Sequence, residues 1–123
     1  MKVHTYLRVS TSSQDLEPQR LELARYCEFR KWEIVKEYTD VISGSKSSRT
    51  GLDALMADVR KGKVKAVMAV KIDRLARSMT HFAQIIGELK GLGVALVIPG
   101  QGIDTTSSNP AGVLTMNILA SIA

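Results

Sequence analysis

Cysteine occurs once in the 123 residues, at Cys27. One thiol excludes a disulfide scaffold and leaves no ligand set for a zinc knuckle or ribbon. Its place in a helical pattern predicts buried packing. Histidine is nearly as scarce, with only His4 and His81. His4 falls inside a strand-like run and His81 in the first turn of a helix. Each therefore reads as structural or surface, and a histidine-assisted nucleophile is poorly supplied. No apolar run approaches membrane-spanning length. Met1-Lys2 leads too soon to Arg8 for a signal peptide, so a soluble intracellular protein is the expectation. The Gly-x-Ser-x-Gly signature of hydrolase nucleophiles is missing. So is a phosphate-binding loop, since Gly44-Ser45-Lys46-Ser47 has neither the spacing nor the preceding apolar strand.

What is present suits one folded domain. Apolar residues make up 45% of the chain, enough for one hydrophobic core, and the length is too short for two ordinary domains. Seventeen basic and twelve acidic residues leave a net charge of +5. That excess permits nucleic-acid binding without establishing it.

Hydrophobic periodicity alternates between strand and helix. Lys2 to Leu7 reads as a first strand. Leu16, Leu21, Leu23, Ala24 and Cys27 give the apolar face of a helix to Arg30, with Pro18 in its first turn. Trp32 to Tyr38 reads as a second strand with Ile34 and Val35 central. Asp40 to Arg49 is a small polar loop. Thr50 resembles an N-cap for a helix with Leu52, Leu55, Met56 and Val59 as its stripe, ended by Gly62. Val64 to Val70 is the third strand. Ser78 can cap a helix carrying Phe82, Ile85, Ile86 and Leu89. Val94 to Ile98 is the fourth strand, and Asn109-Pro110 opens a last helix. This order predicts an α/β three-layer sandwich: a mostly parallel sheet of four main strands, with room for a short edge strand, and helices on both faces.

In such sheets ligands sit beyond the carboxyl ends of the strands. Arg8 and Ser10 follow the first strand, Arg49 comes from the loop after the second, and Asp73, Arg74 and Arg77 follow the third. Three separate regions thus converge on one edge. Guanidinium groups match phosphate oxygens and stay charged. Arg8, Arg49, Arg74 and Arg77 could neutralise a phosphodiester and then hold the extra charge of a pentacovalent transition state while Ser10 attacks. Asp73 could orient an arginine or take part in proton transfer. A bare metal site is a weaker reading because the other carboxylates are scattered.

Plainer readings stand beside this one. Ser10 could cap the next helix, Arg74 and Arg77 could be a solvated helix start, and Arg49 a loop cation. A serine-dependent phosphodiester hydrolase would need a water-delivering base, and none is evident. A receiver-like module would want acidic residues where Arg8 and Ser10 stand. A non-catalytic oligomerisation module would suit the apolar last helix and leave the arginines unexplained.

The motifs resemble those of the catalytic domain of the serine site-specific recombinases, the resolvase/invertase family that includes the large serine integrases. The resemblance runs through Tyr6-x-Arg8-Val9-Ser10 with Gln14 and Gln19, then Ser43-Gly44 and Arg49-x-Gly51-Leu52. It continues with Asp73-Arg74-Leu75-x-Arg77 and with Gly102-Ile103-Asp104-Thr105 followed by Gly112. It implies that Ser10 attacks a scissile phosphate to form a 5′-phosphoserine and release a 3′-hydroxyl. Arg8, Arg49, Arg74 and Arg77 would activate the phosphate, with Asp73 as the motif's acid and Tyr6, Gln14 and Gln19 in support. Neither a metal nor ATP is implied. The implied partner is double-stranded DNA at specific recombination sites, in a bacterial, phage or mobile-element setting. Dimers and a synaptic tetramer would exchange strands by rotation.

Ala111 to Ala123 reads as a helix that stops while still apolar, with no capping residue. The expectation is a chain cut short before a long dimerisation helix and a DNA-binding region, leaving a fragment that recombines poorly.

Overall fold

The computed structural model describes residues 1–11, 15–41, 50–106 and 110–120. The chain runs β1 (Lys2–Val9), α1 (Glu17–Arg30), β2 (Glu33–Val41), α2 (Thr50–Arg60), β3 (Ala66–Met68) and α3 (Ile72–Leu75). It continues with α4 (Met79–Gly91), β4 (Ala95–Ile98), a 3-10 turn (Pro99–Gln101), β5 (Ile103–Asp104) and α5 (Pro110–Ala120). The strands form one sheet in the order β2-β1-β3-β4-β5. The first four are parallel, and the short edge strand β5 runs antiparallel to β4. This is the doubly covered sheet that the alternation of strand and helix predicts.

Side chains alternate across a strand, so each strand feeds both faces. Val3 and Leu7 of β1, Ala66 and Met68 of β3 and Val97 of β4 pack with Leu23 and Cys27 of α1. Tyr6, Val67, Leu96 and Ile98 point the other way, into Leu52, Leu55 and Val59 of α2 and Phe82, Ile86 and Leu89 of α4. Cys27 packs as expected, its thiol 3.4 Å from the Met68 sulfur, and burial pushes its pKa up.

Several boundaries differ from the sequence reading. β1 extends to Val9, so Arg8 lies within the strand and is paired with Asp40. β2 extends to Val41, which moves Asp40 out of the predicted loop and into the sheet. β2 is an edge strand, and its register skips Val35 between the pairs Val3–Ile34 and His4–Lys36. That bulge leaves Val35 exposed and switches the phase of the strand. Ile34 therefore packs on the α1 side, whereas Tyr38 is buried on the α2 side. On α1, Leu21 and Ala24 are exposed, and the helix meets the sheet along Leu23 and Cys27 with Leu16 and Tyr26 at the margin. Leu21 is two positions from Leu23, about 200° around the helix, and cannot share its face.

Two glycines permit close backbone approach. A Cβ on Gly51 would collide with the Thr39 carbonyl of β2, and one on Gly112 with the Asp104 carbonyl of β5. These positions set how closely α2 and α5 dock at the two edges of the sheet. α1 is tied to the far edge by Arg30, which lies 4.2 Å from the Trp32 ring centre and pairs with Asp104 at 2.7 Å.

Candidate active site

β1 delivers Tyr6, Arg8 and Ser10 toward the carboxyl edge of the sheet, with Ser10 exposed just past the strand end. The strand end is gripped from α1 by Gln19. Its Nε2 donates to the Arg8 carbonyl at 2.7 Å, and its Oε1 accepts the Arg8 N–H at 3.3 Å. The side-chain amide thus imitates a neighbouring strand and satisfies both backbone groups of Arg8.

The Arg8 guanidinium crosses to the segment after β3, donating through Nη2 to the Asp73 backbone carbonyl. Two of the predicted regions therefore meet directly. Asp73 and Arg74 lie on α3, a helix of four residues. Their side chains approach within 3.8 Å, but the Asp73 carboxylate is 77% exposed. Such a pair is too solvated to contribute much to stability and leaves both groups available to a ligand.

Arg77 is exposed in the connection between α3 and α4, and its backbone N–H donates to His81 Nδ1 at 3.1 Å. Ser78 caps α4 as predicted, its Oγ accepting the His81 N–H at 3.1 Å. His81 is thereby structural: its Nδ1 lone pair holds the backbone of Arg77.

Tyr6 is fully buried, and its hydroxyl donates to Asp40 Oδ2 at 2.6 Å. Asp40 also accepts the N–H groups of Gly51 at 2.8 Å and Leu52 at 2.9 Å. Thr50 is the first residue of α2 rather than a cap, and the carboxylate that serves the helix start comes from β2. Asp40 and Gln101, which accepts the Ile72 N–H at 2.7 Å, were not picked out from sequence. Both act across the fold, so no local spacing marks them.

Arg49 and Gln14 lie outside the described residues, as does the Ser43-Gly44 pair. Arg49 directly precedes Thr50, the residue at which the Asp40-anchored helix begins. Among the described residues no group of three or more histidines, cysteines and carboxylates could hold a metal ion. No helix among them is long and apolar enough to cross a membrane.

Residues 3–123 match the family described as "Resolvase, N terminal domain". The chain belongs to the resolvase family. This resolvase-family chain is 34% identical over 123 residues to a resolvase/recombinase of Pseudomonas putida, covering all of this chain and 64% of that protein. Transposon Tn3 resolvase of Escherichia coli is 34% identical over 123 residues, with 62% of its length covered. The chain thus spans less than two thirds of these relatives. Among solved structures, the N-terminal catalytic domain of TP901-1 integrase superposes with a TM-score of 0.83 at 29% identity, covering 99% of this chain and 93% of that one.

Proposed function

We propose that residues 1–123 form the catalytic domain of a serine site-specific DNA recombinase. The Ser10 hydroxyl gives up its proton as its Oγ attacks the phosphorus of a scissile phosphodiester, the 3′-oxygen leaves and takes up a proton, and a 5′-phosphoserine links protein to DNA. A 3′-hydroxyl then attacks that linkage, re-forming a diester and returning Ser10. Each step exchanges one phosphate ester for another, so the chemistry needs no external energy source. Arg8, Arg49, Arg74 and Arg77 neutralise the phosphate and its transition state. Asp73 orients an arginine or carries the proton of the leaving oxygen. Tyr6, Gln14 and Gln19 are support residues. Double-stranded DNA is the substrate, and paired copies of the protein, as dimers joined in a tetramer, exchange the strands.

The observation that carries this reading is the hydrogen bond from Arg8 to the Asp73 carbonyl. It ties the strand that presents Ser10 to the turn that presents Asp73 and Arg74, so a nucleophile and phosphate-binding cations share one edge. Neither histidine offers a hydrolase a base to activate water, since His81 is occupied with Arg77 and His4 is buried.

The test is incubation of the full-length protein with a suicide DNA substrate whose cleavage product cannot be religated. A covalent protein–DNA adduct that disappears in Ser10→Ala is the expected result. An undiminished adduct in that variant would exclude Ser10 as the nucleophile.

A further inference from the structure

α3 has only four residues, too few to hold itself together, yet it carries Asp73 and Arg74. Its first N–H groups have no intrahelical acceptor. The residue before it is Lys71, whose side chain offers no oxygen to cap it. The missing acceptor comes from 29 residues away: Gln101 Oε1 takes the Ile72 N–H at 2.7 Å. The turn that holds Gln101 is itself fixed. Gly102 adopts a left-handed φ of +69°, and its N–H closes onto the Pro99 carbonyl at 3.2 Å. A second contact brings the same two segments together, since a Cβ on Gly100 would sit 3.4 Å from the Val70 carbonyl just before α3. Leu75 anchors α3 in the core, and two long-range hydrogen bonds set its polar side, from Gln101 at its first N–H and from Arg8 at the Asp73 carbonyl.

We infer that Gln101 is a positioning residue for the strand-cleavage reaction, holding the Asp73–Arg74 turn in register with the Arg8–Ser10 strand end. It touches neither the nucleophile nor the phosphate and acts through the α3 backbone. The inference rests on the recombinase reading for its catalytic consequence, while its structural half stands alone.

Two variants separate acceptor chemistry from bulk. Gln101→Met keeps the chain length and removes the acceptor; Gln101→Glu keeps an oxygen that can accept. Loss of one net hydrogen bond predicts amide exchange at Ile72 faster by roughly fivefold to tenfold in Gln101→Met. Adduct formation on the suicide substrate should slow by a similar factor, with DNA affinity unchanged, and Gln101→Glu should restore both. Wild-type exchange at Ile72 in Gln101→Met overturns the inference. So does an unchanged cleavage rate, or a cleavage loss that Gln101→Glu fails to rescue. If the wild-type full-length protein forms no adduct at all, the recombinase reading is what fails, and the Ile72 exchange rate then decides the support role of Gln101 by itself.

Discussion

The buried hydroxyl of Tyr6 donates to the buried carboxylate of Asp40 at 2.6 Å, joining the middle of β1 to the start of α2. Asp40 spends its other acceptor capacity on the Gly51 and Leu52 N–H groups. Removing the carboxylate in Asp40→Ala takes this acceptor from the Tyr6 hydroxyl and from two amides, for an expected loss of about 3 kcal/mol. Tyr6→Phe removes one donor and should cost about 1–2 kcal/mol. The pair shares one bond, so Tyr6→Phe should cost much less in the Asp40→Ala background. Urea denaturation of the four proteins measures this, and additive losses would refute the coupling.

Gly112 sets the distance between α5 and β5. Helix propensity alone favours alanine over glycine by about 1 kcal/mol. A Cβ here, however, would overlap the Asp104 carbonyl, a backbone atom held within the sheet. Overpacking of this kind typically costs about 1–3 kcal/mol. Gly112→Ala should therefore destabilise the fold and speed amide exchange in α5, despite its better propensity. A more stable variant would mean that α5 is free to move outward.

His4 is buried on β1, stacked 6.0 Å from the Tyr38 ring, and its Nδ1 has no hydrogen-bond partner among the described residues. Burial holds its pKa below the ordinary 6.5; Asp58 opposes that shift and Lys36 adds to it. The unfolded chain therefore takes up a proton at a higher pH than the folded one. Stability from this source is complete above about 6.5, falls as the pH drops below it, and levels off beneath the folded-state pKa. His4→Phe keeps an aromatic ring against Tyr38 and removes the titration. Urea midpoints between about pH 7.5 and 5.5 should slope downward for the wild type and be flatter for the variant. Equal slopes would assign the effect elsewhere.

Lys31 terminates α1 in a left-handed conformation, φ +59°, while its N–H still serves the Glu28 carbonyl at 3.2 Å. A side chain there carries a steric penalty that glycine avoids. Lys31→Gly should raise stability by about 0.5–1 kcal/mol, read as a higher melting temperature, because the αL relief exceeds the added entropy of the unfolded chain. A lower melting temperature would show that the lysine side chain contributes packing at this position.

Local signals were readable where partners lie close in the chain. Ser78 was recognisable as a cap because the group it serves, His81, is three residues on. The apolar stripe of α4 was equally plain because 3.6-residue periodicity places Phe82, Ile85, Ile86 and Leu89 on one side. The site's motif residues were visible as types after strands, which located Ser10, Asp73 and Arg74 at one edge. What stayed hidden depends on distant geometry. The Val35 bulge changes which residues of β2 face inward, and no local pattern announces it. Asp40 reads as the start of a polar loop because the helix it caps begins ten residues later. Leu21 reads as part of the apolar face with Leu23 and Cys27, although its angle on α1 turns it to solvent.

Gln19 offers the sharpest test of the strand-end clamp, because the clamp needs a donor and an acceptor on one planar group. Its Nε2 serves the Arg8 carbonyl and its Oε1 the Arg8 N–H. Gln19→Glu preserves shape and the acceptor but, when ionised, sets a second oxygen against the carbonyl. That converts an attraction into a repulsion, at a cost of about 1–2 kcal/mol at neutral pH. A protonated glutamate can donate again, so the penalty should shrink as the pH falls toward the ordinary glutamate pKa of about 4.3. The sign is opposite to the general acid loss of stability, which makes the difference between variant and wild type the quantity to follow. Urea midpoints of both proteins at matched pH should converge on acidification. A pH-independent gap would mean that Gln19 acts through shape alone, and no gap at any pH would remove it from the clamp.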